Sequence, residues 1–245
     1  MSSSAERDKR LPEHRRKVAS SFDDAVETYT YQIDEAVGFS GLKTEFFVEV
    51  KCVYLERLVK EFLGSPEEMA VLDLGCGVGA YHRLLSPKFR NLTGLDISPR
   101  SIDYAKRTNP DVTYRVYDGG RLPFDDGAFD VAFASCVLHH VPVGDWAGFA
   151  SEMARVLRPG GMAVVFEHNP YNPVTRRIVS TCPLDEGAVL LRPKRVRDLM
   201  AASGLTTLRS RAILSVPPVY NFLYPVDELL GLLGLGAQYL VAARK

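Results

Sequence analysis

The sequence has few cysteines, no net charge and no long apolar segment, and each absence excludes a class of protein. Its 245 residues include four cysteines, at positions 52, 76, 136 and 182, and no two of them form a CxxC pair. This spacing argues against a zinc site and against a disulfide-stabilised scaffold, and it fits a reducing compartment. We therefore expect a cytoplasmic protein whose functional site contains no metal ligands.

The charge balance and the apolar segments exclude further classes. Lys+Arg and Asp+Glu both number 30, so the formal net charge gives no indication of a nucleic-acid partner. The N-terminal segment lacks the apolar stretch of a signal peptide. The longest apolar stretch, Leu229 to Leu235, is too short to span a bilayer. We expect no integral membrane segment, and the length allows one large α/β domain.

The N-terminal quarter has a helical pattern that differs from the rest of the chain. Residues 1–11 are expected to be a disordered lead, and residues 12–66 a helical cap. The clearest helix is predicted over residues 42–63, with Lys51 assigned to its polar side. Its apolar face, at three- and four-residue spacing, consists of Phe47, Val50, Tyr54 and Leu58.

Strand and helix patterns alternate over residues 67–245, which predicts an α/β fold with a doubly wound, mostly parallel sheet. Strands are predicted near 70–74, 92–96, 112–117, 129–135, 161–166, 206–216 and 237–243, and helices near 79–86, 99–108, 146–157 and 194–203. No helix-plus-strand unit separates the last two strands, so the final strand is expected to be antiparallel. Residues 217–235 are interpreted as an insert, and the stretch Asn169 to Pro193 as punctuated by prolines.

A glycine-rich turn follows the first of these strands. It carries Gly75, Gly77 and Gly79, and glycines there let the backbone turn tightly and approach a ligand closely. Asp73 lies two residues before the first glycine, where its carboxylate would repel a pyrophosphate and attract a cationic ligand group. With Ala80 the turn also satisfies the relaxed dinucleotide pattern Gly-x-Gly-x-x-Ala, which leaves an NAD-linked oxidoreductase as an alternative.

Carboxylates also end the second and third strands. Asp96, 19 residues after Gly77, can accept hydrogen bonds from both hydroxyls of an adenosine ribose. The alternative is that Asp96 is only a helix-entry residue, since Ser98 and Pro99 have the pattern of an N-cap and first helical position. Asp118 can accept a hydrogen bond from an adenine amino group. The sequence therefore favours a ligand that contains adenosine.

Two more elements complete a recognisable series. Residues 134–140 leave the fourth strand with two histidines, and residues 157–161, Leu-Arg-Pro-Gly-Gly, are interpreted as a structural turn into the fifth strand. In order and spacing the five elements resemble the class I S-adenosylmethionine (SAM)-dependent methyltransferase family, over about residues 40–170. Within it the sequence is similar to the small-molecule branch that includes quinone, natural-product and sugar methyltransferases.

The resemblance implies a seven-stranded sheet, a SAM-binding domain over residues 67–245, and SAM as the cofactor. It implies that Asp73 and the glycine loop hold the methionine part of SAM, Asp96 the ribose, and Asp118 with Gly119 the adenine. The full implied cofactor set is Asp73, Gly75, Cys76, Gly77, Gly79, Asp96, Ile97, Asp118, Gly119 and Ser135. The proline-rich segment after the fifth strand departs from the family pattern, so the acceptor cannot be carried over.

Candidate catalytic and substrate residues lie where ligands bind in such folds, at the carboxyl edge of the sheet. The methyl group of SAM is already activated, so a protein base is needed only if the acceptor is a hydroxyl or a protonated amine. His139 and His140 are the candidate catalytic residues, with a hydrogen-bonded wall position as the alternative for each. Candidate substrate contacts are Tyr29, Tyr31, Glu167 and His168.

We therefore expect a SAM-dependent methyltransferase that acts on a small-molecule acceptor. A SAM-binding protein without methyltransferase activity is an alternative of a different class. The N-terminal helix and the insert at 217–235 are expected to close over the site, because a charged methyl donor needs shielding from water. The alternative for the insert is packing on the flank of the sheet. A lid built from its apolar side chains would suggest an acceptor with an apolar part.

Overall fold

The computed structural model describes residues 12–38, 43–214 and 224–245, so the expected disordered lead lies outside the described residues. A seven-stranded sheet with the order β3-β2-β1-β4-β5-β7-β6 forms its centre. The strands are β1 Ala70–Leu74, β2 Asn91–Asp96, β3 Thr113–Val116, β4 Phe129–Ser135, β5 Leu157–His168, β6 Thr206–Ile213 and β7 Gln238–Arg244. β7 pairs antiparallel with both β5 and β6, and the other pairings are parallel. The predicted fold class is confirmed.

Helices cover both faces of the sheet. They are α1 Glu13–Ala25, α2 Tyr29–Val37, α3 Thr44–Phe62, α4 His82–Leu85, α5 Pro99–Thr108, α6 Trp146–Val156, α7 Pro173–Thr181, α8 Pro193–Ala202 and α9 Tyr224–Gly231. One core packs α3, α4 and α5 against the sheet, and the other packs α6 and α8 against the opposite face. In the described part of the chain, no helix is long and apolar enough to cross a membrane.

Local sequence signals explain where several helices begin. The Ser98 hydroxyl accepts a hydrogen bond from the Ser101 amide, and Pro99 occupies the first turn of α5, as predicted. The proline-rich segment contains a helix that the sequence analysis did not predict. The Asn172 side chain caps α7 by accepting hydrogen bonds from two backbone amides of its first turn.

The Leu157–Gly161 segment differs from its interpretation as a plain turn. It belongs to the long strand β5, where Leu157 pairs with Phe129 before the register shifts and Met162 pairs with Val131. An irregular register accommodates glycine and proline within a paired strand, because a bulge leaves one backbone group outside the ladder.

The strand order determines where a ligand site can form. β1 and β4 are neighbours at the centre of the sheet, although β2 and β3 lie between them in the chain. The chain therefore leaves the carboxyl ends of β1 and β4 in opposite directions, which opens a crevice there. The glycine-rich turn after β1 and the histidine pair after β4 both lie at this crevice.

Candidate active site

A cavity of about 430 Å³ lies at the carboxyl ends of β1, β2 and β4. We call it the larger cavity, to distinguish it from a smaller cavity that adjoins it and is described below. It contains most of the residues that the resemblance implied for cofactor binding: Gly75, Cys76, Gly77, Asp96, Ile97, Gly119 and Ser135. Three implied residues, Asp73, Gly79 and Asp118, do not line it. The structure thus brings seven of the ten together around one space.

The glycine loop is held tightly against the turn after β4. Gly75 has a φ of 82°, and a Cβ atom built on it would lie 2.6 Å from Cγ2 of Val137. Only glycine fits both the backbone conformation and the space. The amides of Gly75 and Cys76 donate to the Leu95 carbonyl at 2.8 and 3.1 Å, which fixes the loop on the end of β2.

Asp73 lies two residues before Gly75, and its side chain does not line the larger cavity. Its side chain is 1% exposed, and its carboxylate accepts a hydrogen bond from His82 Nε2 at 3.0 Å. His82 Nδ1 in turn accepts from the Tyr114 hydroxyl at 2.6 Å. Because side chains alternate along a strand, Asp73 points to the face opposite Leu72 and Leu74. Asp73 therefore does not line the larger cavity, and its expected contact with the cationic groups of SAM stays a prediction.

Asp96 and Asp118 occupy different environments. The two carboxylate oxygens of Asp96 accept backbone amides of Gly77 and Ser98, each at 2.8 Å, and lone pairs remain for a ligand. Burial raises the pKa of Asp96 to about 6. Asp118 is exposed, and its carboxylate accepts the Gly120 amide at 2.8 Å, which shapes the turn whose Gly119 lines the larger cavity.

The residues of the larger cavity fit SAM. Asp96 has free lone pairs that could accept ribose hydroxyls, and the loop from Gly75 to Gly77 could let a ligand approach the backbone. Leu122 and Phe149 add apolar wall beside Gly119, which suits an adenine ring.

Helix α1, which lies in the predicted helical cap, contributes several side chains to the wall of the larger cavity. Arg15 donates to an Asp145 carboxylate oxygen at 2.9 Å and to the Asp118 carbonyl at 3.3 Å. His14 Nε2 lies 3.1 Å from the His140 carbonyl, and the Phe22 ring meets the His140 ring edge-on at 5.2 Å between centroids. The lining side chains from α1 are His14, Arg15, Val18 and Phe22.

A smaller cavity, of about 140 Å³, adjoins the larger one. Residues that line both are Phe22, Tyr29, Ala80, Tyr81, Ser135, Cys136 and His140. Apolar wall residues of the smaller cavity are Ile33, Ala36, Val37, Phe47, Val48, Ile178 and Leu184. Of the two tyrosines predicted to contact substrate, Tyr29 lies in the shared wall, whereas Tyr31 is 67% exposed and lines neither cavity. Residues 217–223 of the predicted insert lie outside the described residues, and residues 224–235 line neither cavity.

Predicted catalytic and substrate residues that follow β4 and end β5 form one buried network. Glu167 accepts the amides of Val137 and Leu138 at 3.0 and 2.7 Å, and its second oxygen lies 2.6 Å from His139 Nδ1. His139 Nε2 lies 3.3 Å from Asp185. Burial alone would lower the pKa of His139, but the two carboxylates outweigh it and raise that pKa well above its usual value.

These environments disfavour a base role for either histidine. The raised pKa of His139 favours its protonated form, and both of its ring nitrogens already face carboxylates. Burial and the neighbouring His139 charge lower the pKa of His140 to about 3, so His140 is neutral but a weak proton acceptor. Glu167 lines neither cavity, whereas His168 lines the smaller one.

One group in the described part of the chain has the composition of a metal site. His139, His168 and Asp185 offer ligand atoms within 4.8 Å of one another. Both ring nitrogens of His139 already lie within hydrogen-bond distance of carboxylates. We therefore describe the group as a hydrogen-bonded network of histidines and carboxylates, and we assign no metal to it.

Lys51 and Cys136 are among the residues of the smaller cavity that the sequence analysis missed. Lys51 was assigned to the polar side of its helix, but it is 5% exposed and lines this cavity. The spacing Phe47, Lys51, Tyr54 and Leu58 is itself helical, so a lysine inside an apolar stripe was the available signal. Cys136, with a φ of 57°, directly follows β4 and lines both cavities. Lys51 Nζ lies 3.7 Å from its Sγ.

Sequence comparisons identify the central part of the chain. Residues 72–165 match the family model described as "Methyltransferase domain". A 2-methyl-6-phytyl-1,4-hydroquinone methyltransferase from Synechocystis sp. is 43% identical over 108 residues, which cover 42% of this chain and 33% of that protein. A demethylmenaquinone methyltransferase from Beutenbergia cavernae is 34% identical over 151 residues, which cover 61% of this chain and 57% of that protein. The chain thus spans less than two thirds of the length of these relatives.

Comparison with solved structures supports the fold. An S-adenosylmethionine-dependent methyltransferase from Mesorhizobium loti superposes with a TM-score of 0.57 at 23% identity, covering 77% of this chain and 96% of that chain. At this identity the likeness concerns the fold alone. Together with the sequence matches, it confirms the family resemblance that the five motifs predicted. Residues 72–165 thus match a methyltransferase domain, and the chain is similar to SAM-dependent methyltransferases of the class I fold.

Proposed function

We propose that the chain transfers a methyl group from SAM to a small-molecule acceptor that has an apolar part. SAM would occupy the larger cavity and the acceptor the smaller one. The observation that carries this proposal is the shared wall, in which Tyr29, Tyr81, Ser135 and Cys136 border both spaces. Methyl transfer requires the donor and the nucleophile to approach within about 3–3.5 Å, and adjoining cavities allow that approach.

The chain's own residues would bind and shield the cofactor. SAM supplies a methyl group that its sulfonium already activates. Asp96 would accept hydrogen bonds from the ribose hydroxyls, and Gly75 and Gly77 would let the backbone follow the methionine part. Arg15 and Phe22 of α1 would exclude water from above. Asp73 is proposed to position the loop through His82, because its carboxylate is already bonded there.

The acceptor side is supported by two independent observations. The smaller cavity has mostly apolar walls, and the two relatives compared above are named for a hydroquinone with a phytyl chain and for a demethylmenaquinone. His139 and His140 would form the polar part of this wall, where Glu167 holds His139 in place. This role suits their protonation states better than proton abstraction does.

The proposed setting is small-molecule biosynthesis in the cytoplasm. It is supported by the four free cysteines at 52, 76, 136 and 182, since unpaired thiols persist in reducing compartments. The proposal includes no nucleic-acid partner, in line with the balanced charge.

Calorimetric titration with SAM, its demethylated product and NAD tests the cofactor. We expect both sulfur compounds to bind and NAD not to bind. Incubation with SAM and a panel of phenols, quinols and carboxylic acids, followed by mass spectrometry, then tests the transfer. Tight binding of NAD without a response to SAM would contradict the cofactor assignment. Binding of SAM without methylation of any class of acceptor would favour a SAM-binding protein without transferase activity.

A further inference from the structure

The smaller cavity contains a buried ammonium that lacks a carboxylate partner in the described part of the chain. Lys51 is 5% exposed, and its Nζ lies 3.7 Å from the Cys136 thiol and also interacts with the Tyr81 hydroxyl. Its Nζ also lies 5.4 Å from the centroid of the Tyr81 ring. Burial of a charged group costs several kcal/mol unless that group is paired. A thiol and an aromatic ring compensate an ammonium less well than a carboxylate does.

The acidic side chains nearby are committed to other groups. Asp185 lies 3.3 Å from His139 Nε2 and 3.5 Å from His140 Nε2. Glu167 accepts two backbone amides and binds His139. Lys51 therefore gives one part of the cavity wall a positive charge. The nearby carboxylates of Asp185 and Glu167 are instead compensated by their own partners.

A second group beside Lys51 is also incomplete. Gln238 is 7% exposed, lines the same cavity and donates its amide to the Cys136 sulfur at 3.6 Å. Its Oε1 is buried without a hydrogen-bond partner. Buried polar atoms are rarely left unpaired, so both groups indicate a polar ligand. The ammonium would pair with a ligand oxygen, whereas Oε1 only accepts and would need a separate donor group on the ligand.

We propose that the methyl acceptor carries an anionic oxygen, as a carboxylate, phenolate or enolate, and that this oxygen pairs with the Lys51 ammonium. This inference rests on the proposed function and specifies the class of its acceptor. Without acceptor, the Cys136 sulfur is the counter-group: burial raises its pKa, but Lys51 and His168 together outweigh burial and lower that pKa to about 7. A bound anion replaces the sulfur as the partner of Lys51.

The pairing explains how transfer proceeds without a protein base. An acceptor that enters ionised already has the electron pair that forms the new bond to the methyl carbon. The bond between that carbon and the sulfonium sulfur breaks, and its electrons remain on the sulfur. The negative charge of the acceptor and the positive charge of the donor disappear together. A protonated amine, by contrast, would meet the ammonium of Lys51 and be repelled.

Binding of three small aromatic probes tests the charge preference directly. Benzoate, benzamide and benzylamine are similar in shape but carry a negative, neutral and positive charge. Titrated into protein saturated with demethylated SAM, benzoate should bind at least about tenfold more tightly than benzamide, the increment of one charge-assisted hydrogen bond. Benzylamine should bind most weakly. Equal binding of benzoate and benzamide, or a preference for benzylamine, would overturn the proposal.

Variants assign the preference to one side chain. Lys51→Met should bring the benzoate and benzamide affinities within about twofold of each other, whereas Lys51→Arg should keep the preference because it keeps the charge. Lys60→Met is the matched control, since Lys60 lies on the same helix but pairs with Glu56 at the surface. A Lys51→Met protein that still prefers benzoate would overturn the role of Lys51.

The cofactor titration separates this inference from the proposed function. Lys51 does not line the larger cavity, so demethylated SAM should bind the Lys51 variants within about twofold of the wild type. Failure of the wild type to bind demethylated SAM would count against the proposed function. Normal cofactor binding without any charge preference would count against the anionic acceptor alone.

Discussion

Arg15 of α1 lies directly against Gly119 at the far end of the larger cavity. A Cβ atom built on Gly119 would come within 2.9 Å of the Arg15 Cδ atom. The Arg15 guanidinium also bridges the Asp118 carbonyl and the Asp145 carboxylate. One side chain thus connects the N-terminal helix to two loops that border the proposed adenine position.

Replacement of Arg15 should loosen this cover. Arg15→Ala is expected to raise the dissociation constant for SAM about threefold to tenfold, chiefly through faster dissociation. The effect should be modest because a partly exposed ion pair contributes little free energy on its own. Lys17→Ala, an exposed position on the same helix, is the control and should leave binding unchanged. Stopped-flow displacement of bound SAM measures the rate, and equal rates in both variants would remove Arg15 from the cover.

Hydrogen exchange tests whether α1 moves. We expect residues 13–25 to exchange more slowly when demethylated SAM is bound, since α1 covers the larger cavity through a few partly exposed contacts. Residues 224–231 should not change, because Asp227 ties α9 to Tyr54 at 2.7 Å, away from both cavities. Equal protection of α1 in the two states would make it a fixed part of the scaffold.

Asp96 should make SAM binding depend on pH. Burial raises the pKa of its carboxyl to about 6, so the ionised form that accepts ribose hydroxyls is lost as the pH falls through that value. From pH 7 to pH 5 the dissociation constant should rise about tenfold. Asp96→Asn should abolish this slope, and titration calorimetry at three pH values measures it. An unchanged slope would assign the titration to another group.

The raised pKa of Asp96 also affects folding. Lower pH should weaken SAM binding but increase the free energy of unfolding. The native state binds a proton at Asp96 near pH 6, before the unfolded chain does, so the ionised form opposes folding at neutral pH. This penalty is relieved as the pH falls through about 6.

Asp96→Ala should therefore fold normally while weakening SAM binding by about 10- to 100-fold, the value of lost charge-assisted hydrogen bonds. Normal circular dichroism with unchanged affinity would leave Asp96 as a helix-entry residue.

Gly75 should tolerate no side chain. Gly75→Ala would force a φ of 82° on alanine and place its Cβ 2.6 Å from Val137. We expect a loss of about 1–3 kcal/mol in the free energy of unfolding and at least tenfold weaker SAM binding. Val137→Ala in the same chain should restore part of both by removing the contact. Denaturant unfolding and calorimetry measure the two effects, and a neutral Gly75→Ala would show that the loop is not held against Val137.

Much of the fold could be predicted because its signals are local. Strand β1, helix α5 and the antiparallel final strand follow from apolar runs, an N-cap and a missing crossover unit, all within short segments. The glycine loop and Asp96 were likewise visible, because strand ends in a doubly wound sheet converge on one edge. Helix α7 was not predicted because it lies in a segment punctuated by prolines, although Asn172 is an ordinary capping residue.

The sequence by itself determined the fold class, the family and most of the wall of the larger cavity, since these depend on periodicity and on residues that follow strands directly. Only the tertiary structure decided which charged groups line a cavity. Asp73 was expected in the cofactor site, but strand alternation directs it to His82. Lys51 was expected in solvent, but packing of α3 directs it into the smaller cavity. Local patterns can indicate which side of a helix or strand a residue occupies, but its partner and its cavity depend on segments that are distant in the chain.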